Sequence, residues 1–298
     1  MSDMTVLYDA PGPRARRRAM IGTVVAGVIL LGLTGVVIKR LADNGQFDME
    51  LWGPLIDPSH ENFARVWELL GKGLAATLAA AAAAIALSLV LGTLLGVARM
   101  MLPGALRIPV VLWTEFWRGL PVVITIVIVW RFFVELAIDI SWLPGSDPFW
   151  WLVIGLMLYN SVIIAEILRA GVNSLPRGQG EAARAIGMRE TQAMTTVLLP
   201  QAFRTMLPAL ISQLVVVLKD TSLAAAIGLA YIEFLRRGNL LAQTLDNRIP
   251  MLFVVGVIYI VINYGLSRLA VWTERRLSRS EGELAAQEAV AQATTAGA

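Results

Sequence analysis

The chain has 298 residues, of which 57% are hydrophobic and 16% are charged, and its mean hydropathy is +0.67. This composition excludes an ordinary soluble domain and predicts an integral membrane protein. The net charge of +3 comes from arginines dispersed between apolar segments, so it reports membrane topology and argues against a nucleic-acid surface. Cysteine is absent and His60 is the single histidine, which excludes disulfides and argues against a metal site.

Six apolar segments are predicted to cross the bilayer as helices. The polar segment 1–18 ends in a cluster of arginines, and the apolar run 19–38 that follows is long enough for a first span, predicted over residues 19–41. A cleaved signal peptide competes with this interpretation, but the run is long and lacks a convincing cleavage site. The other five spans are predicted at residues 74–98, 113–133, 150–170, 206–230 and 251–272.

The distribution of lysine and arginine predicts that both termini are cytoplasmic. This arrangement puts most of the basic residues inside, including the arginines in and around residues 172–203. Residues 42–68 are then extracytoplasmic. Helical spacing over residues 63–70 predicts an interfacial helix that overlaps the end of this segment. Residues 231–249 form the last outer loop. The polar tail, residues 274–298, is predicted to be disordered or helical only in part.

The third span is predicted to be broken, because Gly119-Leu120-Pro121 interrupts it and proline removes a backbone donor. Glu115 and Arg118 precede the break at a spacing that allows them to pair. Charge and broken backbone at membrane depth face protein or a water-filled cavity. A helix that enters through the membrane interface explains the same pattern, so both interpretations stay open.

The second and fourth spans contain features that affect packing. Gly92 and Gly96 form a GxxxG pattern, which permits close helix packing. The fourth span contains Tyr159, Asn160 and Glu166, and a carboxylate within a span needs a partner or a function. Arg169 is spaced to pair with Glu166, in which case Glu166 is structural.

The fifth span carries opposite charges on neighbouring residues, in the sequence Lys219-Asp220-Thr221-Ser222. Because neighbouring side chains of a helix point in different directions, at least one of these charges needs a partner outside its own helix. The segment is therefore a candidate polar site or gate. The alternative is a pair neutralised for packing against Glu115 or Arg118.

A polar stretch, EAARAIGMRETQAMTTVLLP, separates the fourth and fifth spans. Residues 181–186 are predicted to form a short helix that Gly187 ends. An apolar row at helical spacing (Met194, Val197 and Leu198) follows until Pro200 breaks the pattern. Two short amphipathic helices at an angle fit a groove on another protein, whereas a basic loop against lipid headgroups is the simpler alternative.

The spacing within this stretch resembles the EAA loop of the permease subunits of ABC importers, with Val197 in place of the usual isoleucine. Matches to polar amino acid importers of the histidine, glutamine, glutamate and arginine group extend from Trp67 to Trp272. They include Gly73–Thr77, Arg118-Gly119-x-Pro121, Tyr159, Ala165-Glu166-x-x-Arg169, Gly178-Gln179, Leu199-Pro200-Gln201-Ala202 and Lys219–Leu223. Leu120 departs from the family's threonine. The additional first span and the tail resemble actinobacterial glutamate permeases.

The resemblance implies an all-α membrane protein with a type I ABC importer permease fold, in which residues 69–273 form the five-helix core. It also implies three kinds of partner: an ATPase dimer, an extracytoplasmic amino acid binding protein and a second permease subunit, either a sister chain or a second copy. The residues implied to contact the ATPase are Glu181, Ala182, Ala183, Arg184, Gly187, Leu199 and Pro200. The chain has no GxxxxGK[ST] motif, so ATP and Mg²⁺ are expected to bind to the partner ATPase. No cofactor is expected to bind to this chain.

The substrate is expected to be a polar amino acid, with glutamate or glutamine first, crossing the cytoplasmic membrane of a bacterium. The residues expected along its path are Glu115, Arg118, Tyr159, Asn160, Glu166, Lys219, Asp220, Thr221 and Ser222. An ion-coupled secondary transporter is the alternative, and it would show internal repeats of spans, which are not evident here. An enzyme is not expected, because neither histidine nor cysteine is available to build the usual intramembrane sites.

Overall fold

The structure is a computed structural model that describes residues 12–296, with side chains described up to Thr273 and for Arg275. The regular elements within this range are all helical. They are α1 (Pro13–Asp43), α2 (Met49–Ile56), α3 (Phe63–Met101), α4 (Gly104–Gly119), α5 (Val122–Glu135), α6 (Asp147–Ser174), α7 (Arg177–Ala185), α8 (Glu190–Gln192), a π-helical turn (Ala193–Leu198), α9 (Leu199–Asp220), α10 (Leu223–Ala226), α11 (Phe234–Thr244) and α12 (Arg248–Ala296).

Five helical segments between residues 12 and 296 are long and apolar enough to cross a membrane, and the bent pair α4 and α5 raises the number to six. The prediction of an all-α protein with about six spans is therefore confirmed. Helix α1 contributes no buried residue, whereas α3, α6 and α9 contribute half of the buried hydrophobic residues that the structure describes. The fifth predicted span is shorter than expected, because α9 ends at Asp220 and a turn at Thr221-Ser222 separates it from α10.

Helices α3 and α6 pack parallel to each other through the predicted glycine pair. A Cβ atom added at Gly92 would lie 2.6 Å from the Ser161 carbonyl oxygen, and one at Gly96 would lie 3.2 Å from the Ala165 carbonyl oxygen. Only glycine allows this separation of the two backbones. The GxxxG prediction is confirmed, and both helices lead to the same end of the bundle. We call this end, which carries α7, the loop end, and the opposite one the far end.

We expect Gly92→Ala to lower the free energy of unfolding by about 1–3 kcal/mol, the usual cost of overpacking. The new methyl group would meet backbone, which cannot rotate away as a side chain does. Gly32→Ala is the matched control, because nothing lies within 4 Å of a Cβ atom at Gly32, which is also within a span. Denaturant unfolding of the detergent-solubilised proteins measures both effects. Equal stability of the two variants would contradict the packing described here.

The third span breaks where the sequence predicts. Helices α4 and α5 meet at Leu120-Pro121 with a bend of 109°. Helix α5 has 14 residues, so it is only about 21 Å long at 1.5 Å per residue. Because the bend is 109°, α4 lies across the bundle when α5 runs along it. Its buried residues are Thr114 and Trp117, whereas Leu112 and Phe116 on its other side are more than half exposed.

The far end contains more helix than the sequence indicates. The predicted interfacial helix over residues 63–70 is the first part of α3, which has 39 residues and a length of about 58 Å, well beyond the bilayer core. The prediction of a loop over residues 231–249 is wrong for most of that segment, because it contains α11. Buried apolar contacts with α3 and α12 stabilise this helix, and local sequence patterns do not report such contacts.

The two terminal segments fall partly outside the described residues. Residues 1–11 lie outside them, so the prediction of a polar N-terminal tail stays a prediction. At the other end, the backbone of α12 continues as a helix to Ala296 through most of the segment predicted to be disordered. Side chains from residue 276 onward lie outside the description, and the state of this tail therefore stays a prediction as well.

Candidate coupling loop and solute path

Helix α7 carries the predicted coupling residues and ends as the sequence indicates. Gly187 has a φ of +88°, in the left-handed region that favours glycine. Its N–H donates to the Arg184 carbonyl at 2.9 Å, and the Met188 N–H donates to the Ala183 carbonyl at 3.1 Å. This pair of hydrogen bonds is a Schellman motif, which ends a helix through a left-handed residue. The prediction that Gly187 ends the helix is confirmed.

The outer surface of α7 is free to meet another protein. Glu181, Ala182 and Arg184 are exposed, and Glu181 and Arg184 line a cleft of about 410 Å³ next to Pro176. Ile186, at the tip, is 76% exposed. A partner that covers this end of α7 would remove this apolar side chain from water. The inner face of α7 differs from this surface, because Ala183 packs inward at 4% exposure while Ala182 and Ile186 face out.

The second half of the loop differs from the prediction at Pro200. The chain continues as helix from Glu190 to Asp220, passing through the π-helical turn just before Leu199. Pro200 lies in the first turn of α9. Because the π turn changes the hydrogen-bond register immediately before it, Pro200 is accommodated without ending the helix. Leu199 and Pro200 therefore belong to α9 and not to a separate short helix.

Three of the predicted path residues, Glu115, Arg118 and Glu166, lie in an ion cluster at the loop end. Arg99 donates to Glu166 at 2.7 Å and to Glu115 at 3.0 Å. Arg169 donates to the other Glu166 oxygen at 2.7 Å, which confirms that predicted pair. Arg118 lies 4.0 Å from Glu115. The cluster joins α3, α4 and α6.

Arg99 is the centre of this cluster, and sequence reasoning missed it. Its guanidinium also donates to the Thr114 hydroxyl at 3.0 Å, and its side chain is only 15% exposed. The sequence places Arg99 in a short inner turn, where an arginine is ordinarily solvated. Glu166 now has both oxygens occupied by arginines of this chain, so the structure favours a structural role for it.

The predicted path residues of α6 have different environments. Asn160 is fully buried, donates to the Leu156 carbonyl at 2.8 Å and accepts from the Gln213 amide at 2.7 Å. This bond links α6 to α9, and Gln213 carries no local signal that could have identified it. Tyr159 is half-buried, and its hydroxyl has no hydrogen-bond partner among the described residues. Of the two, Tyr159 is the residue with a free polar group.

Lys219 and Asp220 have no ion-pair partner among the residues that the structure describes. The alternative prediction, neutralisation against Glu115 or Arg118, is wrong, because those residues lie at the loop end. Lys219 is 20 residues beyond the start of α9, about 30 Å away at 1.5 Å per residue. Thr221 is buried and donates to the Leu218 carbonyl at 2.7 Å. Ser222 donates to the Lys219 carbonyl at 2.6 Å.

Lys219 and Ser222 line a cavity of about 670 Å³ between α9 and α12. Its other polar lining residues are Tyr259, Asn263, Tyr264 and Ser267. The side-chain oxygen of Asn263 is buried without a hydrogen-bond partner. We call this cavity the α9–α12 groove. Its volume is typical of small-molecule sites, and an unpaired lysine is costly against lipid, so the groove faces water or protein.

A buried carboxylate contacts Tyr259, one of the residues that line this groove. Glu233 is fully buried and caps α11, accepting from the Leu235 N–H at 2.7 Å and the Arg236 N–H at 2.8 Å. Tyr259 donates to it at 3.3 Å. Burial raises the pKa of Glu233 above its usual value, and these hydrogen bonds oppose that shift. The sequence treats Glu233 as a loop residue and gives no sign of this role.

Comparison with known proteins gives this geometry a context. Residues 88–279 match the family described as binding-protein-dependent transport system inner membrane component. The glutamate transport system permease protein GluD of Corynebacterium glutamicum is 41% identical over 239 residues, which cover 80% of this chain and 83% of that protein. The glutamate/aspartate import permease protein GltK of Escherichia coli is 30% identical over 210 residues, covering 68% and 91%.

The fold is also similar to that of a solved transporter. The crystal structure of an amino acid ABC transporter with histidines superposes with a TM-score of 0.63 at 25% sequence identity, covering 72% of this chain and 96% of that one. The relatives are transporter subunits and not enzymes. The chain therefore belongs to the binding-protein-dependent transport system inner membrane component family, as the multi-pass cytoplasmic-membrane permease subunit of an amino acid ABC importer.

Proposed function

We propose that this permease imports glutamate or a close chemical relative, such as glutamine, with energy supplied by a partner ATPase. The observation that carries the proposal is the 41% identity to a glutamate permease over 80% of the chain. A second relative, named for glutamate and aspartate import, supports the same substrate class. An extracytoplasmic binding protein delivers the amino acid, and a second permease subunit, either a sister chain or a second copy, completes the pathway.

The loop end is the proposed cytoplasmic end, with both termini inside. The arginines around α7 support this orientation. In this arrangement α7, with Glu181, Arg184 and the exposed Ile186, docks on the ATPase, which binds ATP and Mg²⁺. Closure of the ATPase moves α7. Helices α6 and α9 flank α7 and carry this motion into the membrane. Alternating access follows from that motion because both helices line the core.

The proposed solute path runs along the α9–α12 groove. Lys219 is its unpaired cation, and a substrate carboxylate is the natural partner for it. Asp220 and the free Tyr159 hydroxyl are further candidates for contact with the substrate. Glu115, Arg118 and Glu166 are weaker candidates, because the two carboxylates already bind Arg99.

Uptake of labelled glutamate, glutamine, arginine and histidine tests both the substrate and the path. Cells expressing this chain with its ATPase and binding protein should accumulate glutamate or glutamine. Lys219→Met should raise the half-saturation concentration about tenfold, since a hydrogen bond to a charged group contributes about 1.5–3 kcal/mol. Lys72→Met is the control, because Lys72 is exposed at the far end and bonds Glu68 at 2.6 Å.

Two results would overturn this proposal. Preferential uptake of arginine or histidine would rule out the glutamate class. Equal kinetics for Lys219→Met and wild type would remove Lys219 from the path while leaving the substrate assignment untouched.

A further inference from the structure

A second groove, between the end of α4 and α6, combines an aliphatic floor with a basic rim. It has a volume of about 450 Å³ and lies at the loop end, beside the ion cluster. Val162, Ile163 and Ile167 form the floor, and Arg118 and Arg169 stand at the rim. Glu166 also lines the groove, with its two oxygens bound by Arg99 and Arg169. We call it the α4–α6 groove. This pairing of surfaces suits a ligand with an anionic head and an apolar body.

The arginines at the rim retain unused donors. The Arg118 side chain is 61% exposed, and its one ionic contact is the 4.0 Å approach to Glu115. Arg169 directs its Nε and Nη2 atoms at a single oxygen of Glu166, which leaves Nη1 without a partner among the described residues. The carboxylates nearby are already bound by Arg99. Three arginines against two glutamates leave the cluster positive, so it attracts an anion.

The depth of the groove matches the headgroup level of a bilayer. Helix α6 has 28 residues and is therefore about 42 Å long, against a hydrocarbon core of about 30 Å. It extends beyond the core by about 6 Å at each end. Arg169 lies five residues before Ser174, about 8 Å from the helix end. The basic rim thus sits near the boundary between headgroups and acyl chains.

Helix α4 supports the same placement. It meets α5 at 109°, and its exposed side carries Leu112 at 65%, Trp113 at 42% and Phe116 at 57% exposure. Its polar residues Thr114 and Glu115 turn toward the ion cluster. An amphipathic helix across the bundle, with tryptophan on its apolar side, is typical of a helix lying in the membrane interface.

We infer that the α4–α6 groove binds an anionic phospholipid. Its phosphate lies between Arg118 and Arg169, and an acyl chain follows the floor along α6. Basic pockets at the cytoplasmic ends of spans bind anionic headgroups in this way. Only the choice of the cytoplasmic leaflet rests on the proposed orientation. The site itself is independent of the transported amino acid.

Native mass spectrometry of the full-length chain in neutral detergent tests this inference. Phosphatidylglycerol should bind at least about fivefold more tightly than phosphatidylcholine with the same acyl chains. Arg118→Gln should weaken phosphatidylglycerol binding about fivefold, since each basic residue near the surface contributes about 1 kcal/mol. Arg131→Gln is the matched control, because Arg131 is 59% exposed, also pairs with a glutamate, and lies outside the groove. Arg118→Lys should retain most of the affinity.

Four outcomes would overturn the inference. The first is equal binding of the two lipids, and the second is an equal loss in Arg118→Gln and Arg131→Gln. The third is a disulfide-linked dimer of an Ile163→Cys variant, which would show that a second copy occupies the groove. The chain has no cysteine, so this cross-link has no background. Glycerol phosphate, which lacks acyl chains, should not displace the lipid, and displacement by it would assign the site to free phosphate esters.

Discussion

Uptake by a Gly187→Trp variant is expected to fall more than about tenfold at an unchanged level of protein in the membrane. The φ of +88° costs about 1–2 kcal/mol for a residue with a Cβ atom, so the end of α7 is displaced. The indole also adds bulk at the surface proposed to meet the ATPase. Apart from the two neighbouring residues, no described part of the chain lies within 4 Å of a Cβ atom at Gly187, so the variant should still fold and insert.

Gly187→Asn separates the two causes. Asparagine tolerates the left-handed conformation better than other residues with a side chain, and it is small. It should therefore retain at least half of the wild-type uptake. Initial rates of labelled glutamate uptake, normalised by immunoblot, measure all three proteins. Wild-type rates in Gly187→Trp would remove α7 as the point of energy input and revive the ion-coupled alternative.

Loss of the Arg99 side chain is expected to have the largest effect on stability. Arg99→Leu leaves Glu166 and Glu115 without their shared partner, next to a span. Breaking a buried ion pair costs about 3–5 kcal/mol. Because the Glu115 side chain is 50% exposed, we expect a loss of about 3 kcal/mol, at the lower end of this range. Denaturant unfolding in detergent micelles measures it.

Two further variants identify the cause of that loss. Arg131→Gln removes an exposed pair on α5 and should cost less than about 1 kcal/mol. Arg99→Leu combined with Glu166→Leu also removes the carboxylate that Arg99 paired with. Arg169 then loses its partner, but its side chain is 41% exposed and can be solvated, so the double variant should recover at least half of the loss. If the double variant is less stable than Arg99→Leu alone, the packing of Glu166, and not its charge, stabilises this region.

The ion cluster also has a bearing on coupling. It fixes α4 against α6, and α6 leads directly into α7, so the broken third span and the coupling loop share one rigid attachment at the loop end. A displacement of α7 is therefore expected to move α4 together with α6. The lipid proposed for the α4–α6 groove would contact the same two helices.

The sequence determined the features that depend on neighbouring residues. Long apolar runs defined the spans, Pro121 defined the break in the third span, and Gly187 defined the end of α7. In each case the cause lies within a few residues of its effect, through hydrophobic length, a missing donor or a left-handed φ. The GxxxG pair, Gly92 and Gly96, was visible for the same reason, although its partner helix was not.

Only the tertiary structure decided which polar groups meet. Arg99 and Glu166 are 67 positions apart, and Asn160 and Gln213 are 53 apart. Glu233 became a buried cap because α11 packs against α3 and α12, whereas its sequence context reads as a loop. Hydrogen bonds and ion pairs act over about 3 Å, so their partners follow from how the helices pack. That packing left Lys219 unpaired in the α9–α12 groove and neutralised Glu166 at the loop end.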